Sequence, residues 1–138
     1  MMYINGSCHC GEITFEAEVD ENKVLLCHCH DCQKLSGTAF RSVVVSEPEG
    51  LNFTKGKPKE YVKVAESGNH RAQGFCQNCG SAIYATSVDT SNRVYGIRAG
   101  CIDQRAILVP KSQIWFSSAV PWLNEVMNIP AFDTVPVK

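Results

Sequence analysis

The sequence predicts a mainly β fold of short antiparallel strands with little helix. Glycine and proline, 10 and 6 of the 138 residues, recur at short intervals along the chain. This spacing is typical of short strands joined by turns. The segments between them are rich in β-branched and aromatic residues, which favour strands. Segments with a helical pattern are few and short.

The first candidate strand is 13–19, in which Ile13, Phe15, Ala17 and Val19 alternate with polar neighbours. This two-residue period is that of a strand with one buried face. The later candidates share its β-branched and aromatic content, and in chain order they are 23–27, 40–46, 51–54, 60–65, 72–76, 81–87, 93–100, 106–110 and 112–118.

Two segments favour a short helix. Residues 30–37 offer Asp31 as an N-cap and Gly37 as a stop. Residues 121–128 begin with Pro121, a residue that suits the first position of a helix. The cysteines therefore fall at strand ends and turns, where metal sites usually form.

The length and charge predict one domain over residues 1–138. The formal net charge is −1 and no basic block is present, which argues against duplex nucleic acid or an anionic membrane surface as a partner. No signal peptide precedes the first cysteine, and no apolar run approaches the roughly 18 residues of a membrane span. We therefore expect a soluble cytoplasmic protein.

Eight cysteines are many for such a chain, and an even number permits a disulfide framework. A reducing compartment instead favours metal binding or catalysis. The short Cys-x-Cys spacing also suits a shared metal better than a local disulfide. The cysteines are Cys8, Cys10, Cys27, Cys29, Cys32, Cys76, Cys79 and Cys101.

Two cysteine pairs together supply four thiolates, enough to close a tetrahedral zinc site. Cys8 and Cys10 form one pair, and Cys76 and Cys79 form the other. Gly80 follows the second pair, and its lack of a Cβ permits the tight turn that such a site needs. An iron–sulfur cluster is the alternative occupant of four thiolates.

Cys27, Cys29 and Cys32 supply three thiolates, the number that leaves a catalytic zinc with an open position. A fourth protein ligand would close the site, and the candidates are His28, His30, Asp31, His70 and Cys101. Three thiolates around Zn²⁺ leave a formal charge of −1, which weakens the metal as a source of hydroxide. Such a zinc still binds an incoming thiol as thiolate, so the triplet favours chemistry on a thiol.

Three motifs in this order resemble the glutathione-dependent formaldehyde-activating enzymes, whose domain is shared with centromere protein V. They are "GSCHCGEITFEAE", "CHCHDCQKLSGTAF" and "FCQNCGSAIYA", and the resemblance covers roughly residues 5–122. It implies an Mss4-like, zinc-ribbon-containing β fold. It also implies a structural zinc on Cys8, Cys10, Cys76 and Cys79 and a catalytic, labile zinc on Cys27, Cys29 and Cys32.

The activity that the resemblance implies is that of a carbon–sulfur lyase. Glutathione and formaldehyde condense to S-hydroxymethylglutathione, and the reverse reaction is the lyase direction. The chain is shorter than the glutathione-using enzymes, and it carries Cys101 and Gln113 where relatives commonly have other residues. These departures concern the identity of the substrate. One alternative is therefore the same chemistry on another thiol or aldehyde, and the other is a zinc-stabilised binding module without chemistry.

Further site residues are candidates by chemistry alone. The proton donors to consider for the developing alkoxide are His28, His30 and Tyr84. Arginine or lysine could anchor the carboxylates of glutathione, although each candidate is by default a surface cation. These candidates are Lys34, Arg41, Arg71 and Arg98. His70 is expected on a solvated turn, and Cys101 as a buried structural thiol.

Overall fold

The computed structural model describes residues 1–136, which form a mainly antiparallel β fold. This part of the chain contains one α-helix, α1 (His30–Ser36), and eight strands. The strands are β1 (Met2–Ser7), β2 (Thr14–Cys27), β3 (Arg41–Lys55), β4 (Lys59–Val64), β5 (His70–Phe75), β6 (Ala82–Ser87), β7 (Gly96–Arg98) and β8 (Ser112–Ile114). The predicted mainly β class with little helix is confirmed.

The strands form one sheet in the order β1-β2-β3-β7-β6-β5-β4, and each neighbouring pair is antiparallel. Strand β8 lies off this path and pairs in parallel with the end of β2, from Leu25 opposite Ser112 to Cys27 opposite Ile114. Among residues 1–136, no helix has both the length and the apolar character needed to cross a bilayer.

Strands β2 and β3, with 14 and 15 residues, are longer than the individual segments predicted there. Strand β2 joins the predicted strands 13–19 and 23–27, and β3 joins 40–46 and 51–54. Register shifts interrupt the β2–β3 ladder between Ala17 and Val19 and between Val19 and Val24. Such irregularities let a strand continue past polar residues that sequence patterns mark as turns.

The predicted strand at 106–110 is wrong, because Arg105–Ile107 form a 3-10 helix. Of 112–118, only Ser112–Ile114 is a strand, and Trp115 then turns the chain with a positive φ of 53°. The segment 93–100 keeps only Gly96–Arg98 as strand. Strand β1 has no counterpart among the predicted strands.

The residue that caps the start of helix α1 differs from the predicted one. Its N-cap is Cys29, whose Sγ accepts the backbone N–H of Cys32 at 3.3 Å, and the prediction of Asp31 is wrong. Gly37 ends the helix as expected, with a φ of 70° that glycine adopts without strain. The second predicted helix is a 3-10 helix, Leu123–Asn128.

The two faces of the sheet have different compositions, because side chains alternate along each strand. One face carries the main apolar core, which includes Phe15, Val24, Val44 and Ile97. Residues that alternate with three of them line a cavity beside α1, and these are Leu25, Val43, Val45, Gly96 and Arg98. This second face holds the candidate functional residues.

Candidate metal centres

The structure brings Cys8, Cys10, Cys76 and Cys79 together, as the spacing predicts. All four sulfur atoms lie within 4.8 Å of one another. Cys8 Sγ is 3.6 Å from Cys10 Sγ, and Cys10 Sγ is 3.8 Å from Cys76 Sγ. The first pair lies in the loop between β1 and β2, and the second lies between β5 and β6. The cluster therefore joins two loops that are far apart in sequence.

These distances fit a tetrahedral metal ion. Four sulfurs at about 2.3 Å from one zinc lie about 3.8 Å from each other, whereas a disulfide needs about 2.05 Å. All eight cysteines are free in the structure. The Ile13 N–H donates to Cys8 Sγ at 3.3 Å. Hydrogen bonds from the Ser81 hydroxyl and N–H lower the pKa of Cys79 to about 5, which favours the thiolate.

A second cluster consists of Cys27, Cys29 and Cys32, whose sulfurs also lie within 4.8 Å of one another. Cys27 ends β2, Cys29 caps α1 and Cys32 lies in its first turn. All three are buried. Burial raises the pKa of the Cys29 thiol, since a buried thiolate needs a nearby positive charge. A metal cation fits that need, and three sulfurs leave it one open position.

Two of the candidate fourth ligands are engaged elsewhere. His30 Nδ1 lies 3.3 Å from Glu66 Oε1, and its side chain is 73% exposed. Asp31 Oδ2 accepts from Lys63 Nζ at 2.9 Å. Both contacts join α1 to the β4–β5 hairpin. Within residues 1–136, neither side chain belongs to the cysteine cluster.

His28 is fully enclosed and is not a ligand in this arrangement. Its Nε2 donates to Gln113 Oε1 at 2.8 Å. Its ring packs against Phe40 and Phe116, with centroid separations of 5.4 and 5.3 Å. These contacts fix β8 and the following turn against the cysteine loop, so His28 has a structural role.

His70 and Cys101 also lie apart from the second cluster. His70 is exposed, as expected, but it begins β5 and does not lie on a turn. Cys101 is only partly buried, and its thiol donates to the Ala82 carbonyl at 3.1 Å. The residues described therefore offer the second cluster three protein ligands.

A cavity of about 460 Å³ opens beside the second cluster. Cys27, Cys29 and Cys32 form part of its wall. Ile114 at the end of β8 and Trp115 directly after it also border the cavity. Its volume is within the range of small-molecule sites. The charged residues on the remaining wall are three cations, Lys63, Arg71 and Arg98, and two acids, Asp31 and Glu66.

The default interpretation of Arg41 and Arg98 as surface cations is wrong, because they are only 5% and 9% exposed. Arg98 Nη2 donates to Gln73 Oε1 at 2.8 Å. Burial and the nearby Arg41 guanidinium lower the pKa of Arg98. Arg71 is half-buried on the cavity wall, whereas Lys34 is exposed and lies outside it.

None of the three candidate proton donors, His28, His30 and Tyr84, lines this cavity. The Tyr84 hydroxyl donates to Glu60 at 2.6 Å, and burial followed by this bond raises its pKa. Glu60 in turn pairs with Arg93 at 2.7 Å. Tyr84 is therefore part of a structural polar network.

Sequence reasoning missed Lys63 and Gln73. Lys63 pairs with Arg71 across β4 and β5, and Gln73 lies two residues further along the same face. The two-residue period of a strand could have indicated this, because 71 and 73 share a face. The sequence does not show that this face of β5 meets the cysteines, because that contact depends on the pairing of distant strands.

Comparisons with known proteins agree with this arrangement. A family model described as glutathione-dependent formaldehyde-activating enzyme matches residues 3–118. A Schizosaccharomyces pombe protein named as an uncharacterized lyase is 25% identical over 87 residues, which cover 63% of this chain and 60% of that protein. A crystal structure of a Rhodobacter sphaeroides protein superposes with a TM-score of 0.59 and 17% identity, and it covers 79% of this chain and 98% of the other. At that identity the structural similarity shows the fold alone.

Proposed function

The chain belongs to the family of glutathione-dependent formaldehyde-activating enzymes, and from this premise we propose that it is a zinc-dependent carbon–sulfur lyase. Its substrate pair is glutathione and formaldehyde, and its product is S-hydroxymethylglutathione. The observation that carries the proposal is the position of three buried thiols on the wall of a cavity that Arg71 and Arg98 also line.

Each cysteine cluster has a separate role in this proposal. Cys8, Cys10, Cys76 and Cys79 hold a structural zinc, because their four sulfurs complete a tetrahedral set. Cys27, Cys29 and Cys32 hold the catalytic zinc. When bound there, zinc supplies an electrophilic centre that favours the thiolate form of a substrate thiol.

The cations of the cavity bind the substrate. Arg71 and Arg98 donate to the carboxylates of glutathione, since charge-assisted hydrogen bonds are the stronger ones. Lys63 is already paired with Asp31 and keeps further N–H donors. Trp115 and Ile114 add an apolar part to the cavity wall. This arrangement holds the thiol and the aldehyde close together, which supplies much of the rate enhancement.

The reaction itself makes one bond and moves one proton. The sulfur of glutathione attacks the formaldehyde carbon, the carbon–sulfur bond forms, and the carbonyl π bond breaks. The oxygen takes up a proton, and the thiol proton is released to solvent, so the sum of the reaction is neutral. Lys63 is the N–H donor on the wall that we assign to this oxygen. The eight cysteines of the protein are free, and the proposed substrate glutathione is itself a thiol. Both suit a reducing compartment, so we place the protein in the cytoplasm.

Exchange NMR on zinc-loaded protein tests the proposal, by following transfer between the free reactants and S-hydroxymethylglutathione. The reaction also runs without an enzyme, so Cys29→Ala serves as the baseline. Cys101→Ala is the matched control, because Cys101 lies outside both clusters. We expect exchange well above the baseline for the wild type and Cys101→Ala. Exchange equal to the baseline with two zinc ions bound would remove this substrate pair and favour another thiol adduct or a binding role.

A further inference from the structure

A second cavity, of about 290 Å³, lies on the other side of Gln73. Leu35 of α1, Tyr61 of β4 and Phe75 of β5 give it largely apolar walls. Besides the hydroxyl groups of its two tyrosines, Arg41 and Gln73 are the polar side chains in its lining, and both are more than nine-tenths buried. Gln73 borders both cavities, whereas Arg41 and Leu35 border only this one.

Both buried polar side chains have N–H groups without hydrogen-bond partners. Within residues 1–136, Nε and Nη2 of Arg41 and Nε2 of Gln73 are enclosed without a hydrogen-bond partner. Oε1 of Gln73 already accepts from Arg98, so the amide has only N–H groups left to offer. All the unpaired groups are donors. An unpaired buried donor costs about 1–3 kcal/mol, and a ligand that brings acceptors would remove that cost.

The charge balance calls for an anion. No acidic side chain among residues 1–136 forms an ion pair with Arg41 or Arg98. Three thiolates with one Zn²⁺ would carry a charge of −1, which offsets one guanidinium of the two. Before glutathione binds, one positive charge stays unmatched in a buried region, where an unpaired charge is costly.

We propose that the second cavity binds a small monocarboxylate with an apolar body. Its carboxylate accepts hydrogen bonds from Arg41 and Gln73, and its body packs against Leu35, Tyr61 and Phe75. A guanidinium matches a planar carboxylate with two parallel bonds. The volume lies just below the roughly 300–1,000 Å³ of typical ligand sites, which restricts the body to one ring or a short chain. Apolar walls disfavour a fully hydrated inorganic anion.

Titration of zinc-loaded protein with benzoate tests this proposal, with NMR of the arginine Nε–Hε groups as the readout. We expect saturable binding that shifts the Arg41 signal. Benzamide, which has the same shape without the charge, should bind at least about tenfold more weakly, the loss of one charge-assisted contact. Inorganic phosphate should bind no better than benzamide.

Two variants locate the site. Arg41→Gln removes the charge, and Leu35→Trp fills the cavity from the exposed side of α1 while Arg41 stays in place. Both should abolish benzoate binding, and zinc content reports whether each variant is folded. If Arg41→Gln fails to fold, Arg41→Lys replaces it, with an expected weakening of about tenfold from the lost bidentate geometry. Lys34→Gln, which changes an exposed cation on the same helix, is the matched control and should bind benzoate as the wild type does.

Several outcomes would overturn the proposal. These are a lack of saturable benzoate binding, equal affinity for benzamide, and full binding by Leu35→Trp. Loss of binding in Arg71→Gln but not in Arg41→Gln would place the carboxylate in the first cavity instead. Because the readout is binding and not turnover, failure here is separate from failure of the proposed lyase activity.

Discussion

Arg98 Nη2 donates a 2.8 Å hydrogen bond to Oε1 of Gln73, although the two residues lie on strands that are not neighbours. Strand β6 lies between β7 and β5, and its residue opposite Gln73 is Ala85. The short alanine side chain leaves the space over which the bond passes. Gln73 therefore separates the two cavities and holds a buried guanidinium in place.

Replacement of Gln73 with leucine should lower the free energy of unfolding by about 1.5–3 kcal/mol. The reason is that Arg98 would lose a buried acceptor, and hydrogen bonds to charged groups are worth about that much. Urea unfolding of zinc-loaded protein measures the change. Gln73→Glu is the control, because a carboxylate would accept from Arg98 and should restore stability at neutral pH. Equal losses for the two variants would contradict the role of this bond.

Arg71→Gln should raise the KM for glutathione by about ten- to a hundredfold, with a smaller change in kcat. This range corresponds to the loss of one charge-assisted hydrogen bond to a carboxylate. Steady-state exchange measurements with glutathione check it. The neutral thiol 2-mercaptoethanol is the comparison substrate, and its KM should not change. A parallel rise for both thiols would mean that Arg71 shapes the cavity without contacting a carboxylate.

Gly74→Ala should destabilise the protein by about 1–3 kcal/mol through overpacking. A Cβ at this position would lie 2.3 Å from the Tyr84 ring, so the ring must move from its hydrogen bond with Glu60. Thermal unfolding measures the loss. Gly100→Ala is the matched control, since a Cβ there meets nothing within 4 Å and the φ is not positive. We expect that variant to be as stable as the wild type or slightly more stable. The packing argument fails if both alanines behave alike.

The Glu60 carboxyl should titrate below its ordinary pKa of 4.5, because hydrogen bonds from Arg93, and then from Tyr84, favour its charged form. A lowered pKa in the folded state stabilises the protein above about pH 4.5 and loses that effect as pH falls through the folded value. The stability difference between wild type and Glu60→Gln should therefore be present at neutral pH and shrink below pH 4.5. Carboxyl ¹³C NMR of Glu60 gives the titration directly, and a midpoint at or above 4.5 would contradict it.

Cys8→Ala should lower the zinc content by one ion per chain and strongly reduce stability. The four-sulfur cluster joins two loops that are distant in sequence, and metal binding at such a site contributes to folding free energy. Elemental analysis with thermal unfolding measures both effects. Cys101→Ala should keep two ions, because Cys101 belongs to neither cluster and its thiol donates to the Ala82 carbonyl. Unchanged zinc in Cys8→Ala would remove this residue from the ligand set.

The cysteine spacing was sufficient to group Cys8 with Cys79 and to separate Cys27, because metal sites place their ligands in short local motifs. The buried arginines could not be found that way. Arg41 lies opposite Cys27 through the pairing of β2 with β3, and Arg98 joins them through the pairing of β3 with β7. Both pairings depend on contacts across the whole sheet. Both arginines lie in segments predicted as strands, but the sequence does not show that the face carrying each arginine is buried.

The cap of α1 shows a similar limit. Asp31 is the residue that cap preferences favour, yet Cys29 takes the position because its sulfur already faces the N–H of Cys32. The cysteine cluster determines where the helix begins. Propensity scales for helix ends do not include this constraint, since they describe helices without neighbouring sulfur ligands.

The cap also makes the amide of Cys32 a sensor for the state of the Cys29 sulfur. Alkylation or oxidation of that sulfur would remove the acceptor of the Cys32 N–H, and the first turn of α1 would then fray. Deuterium would enter this amide faster, while amides in the central strands would stay protected. Hydrogen–deuterium exchange at one backbone position thus reports covalent damage to the cluster without any assay of turnover.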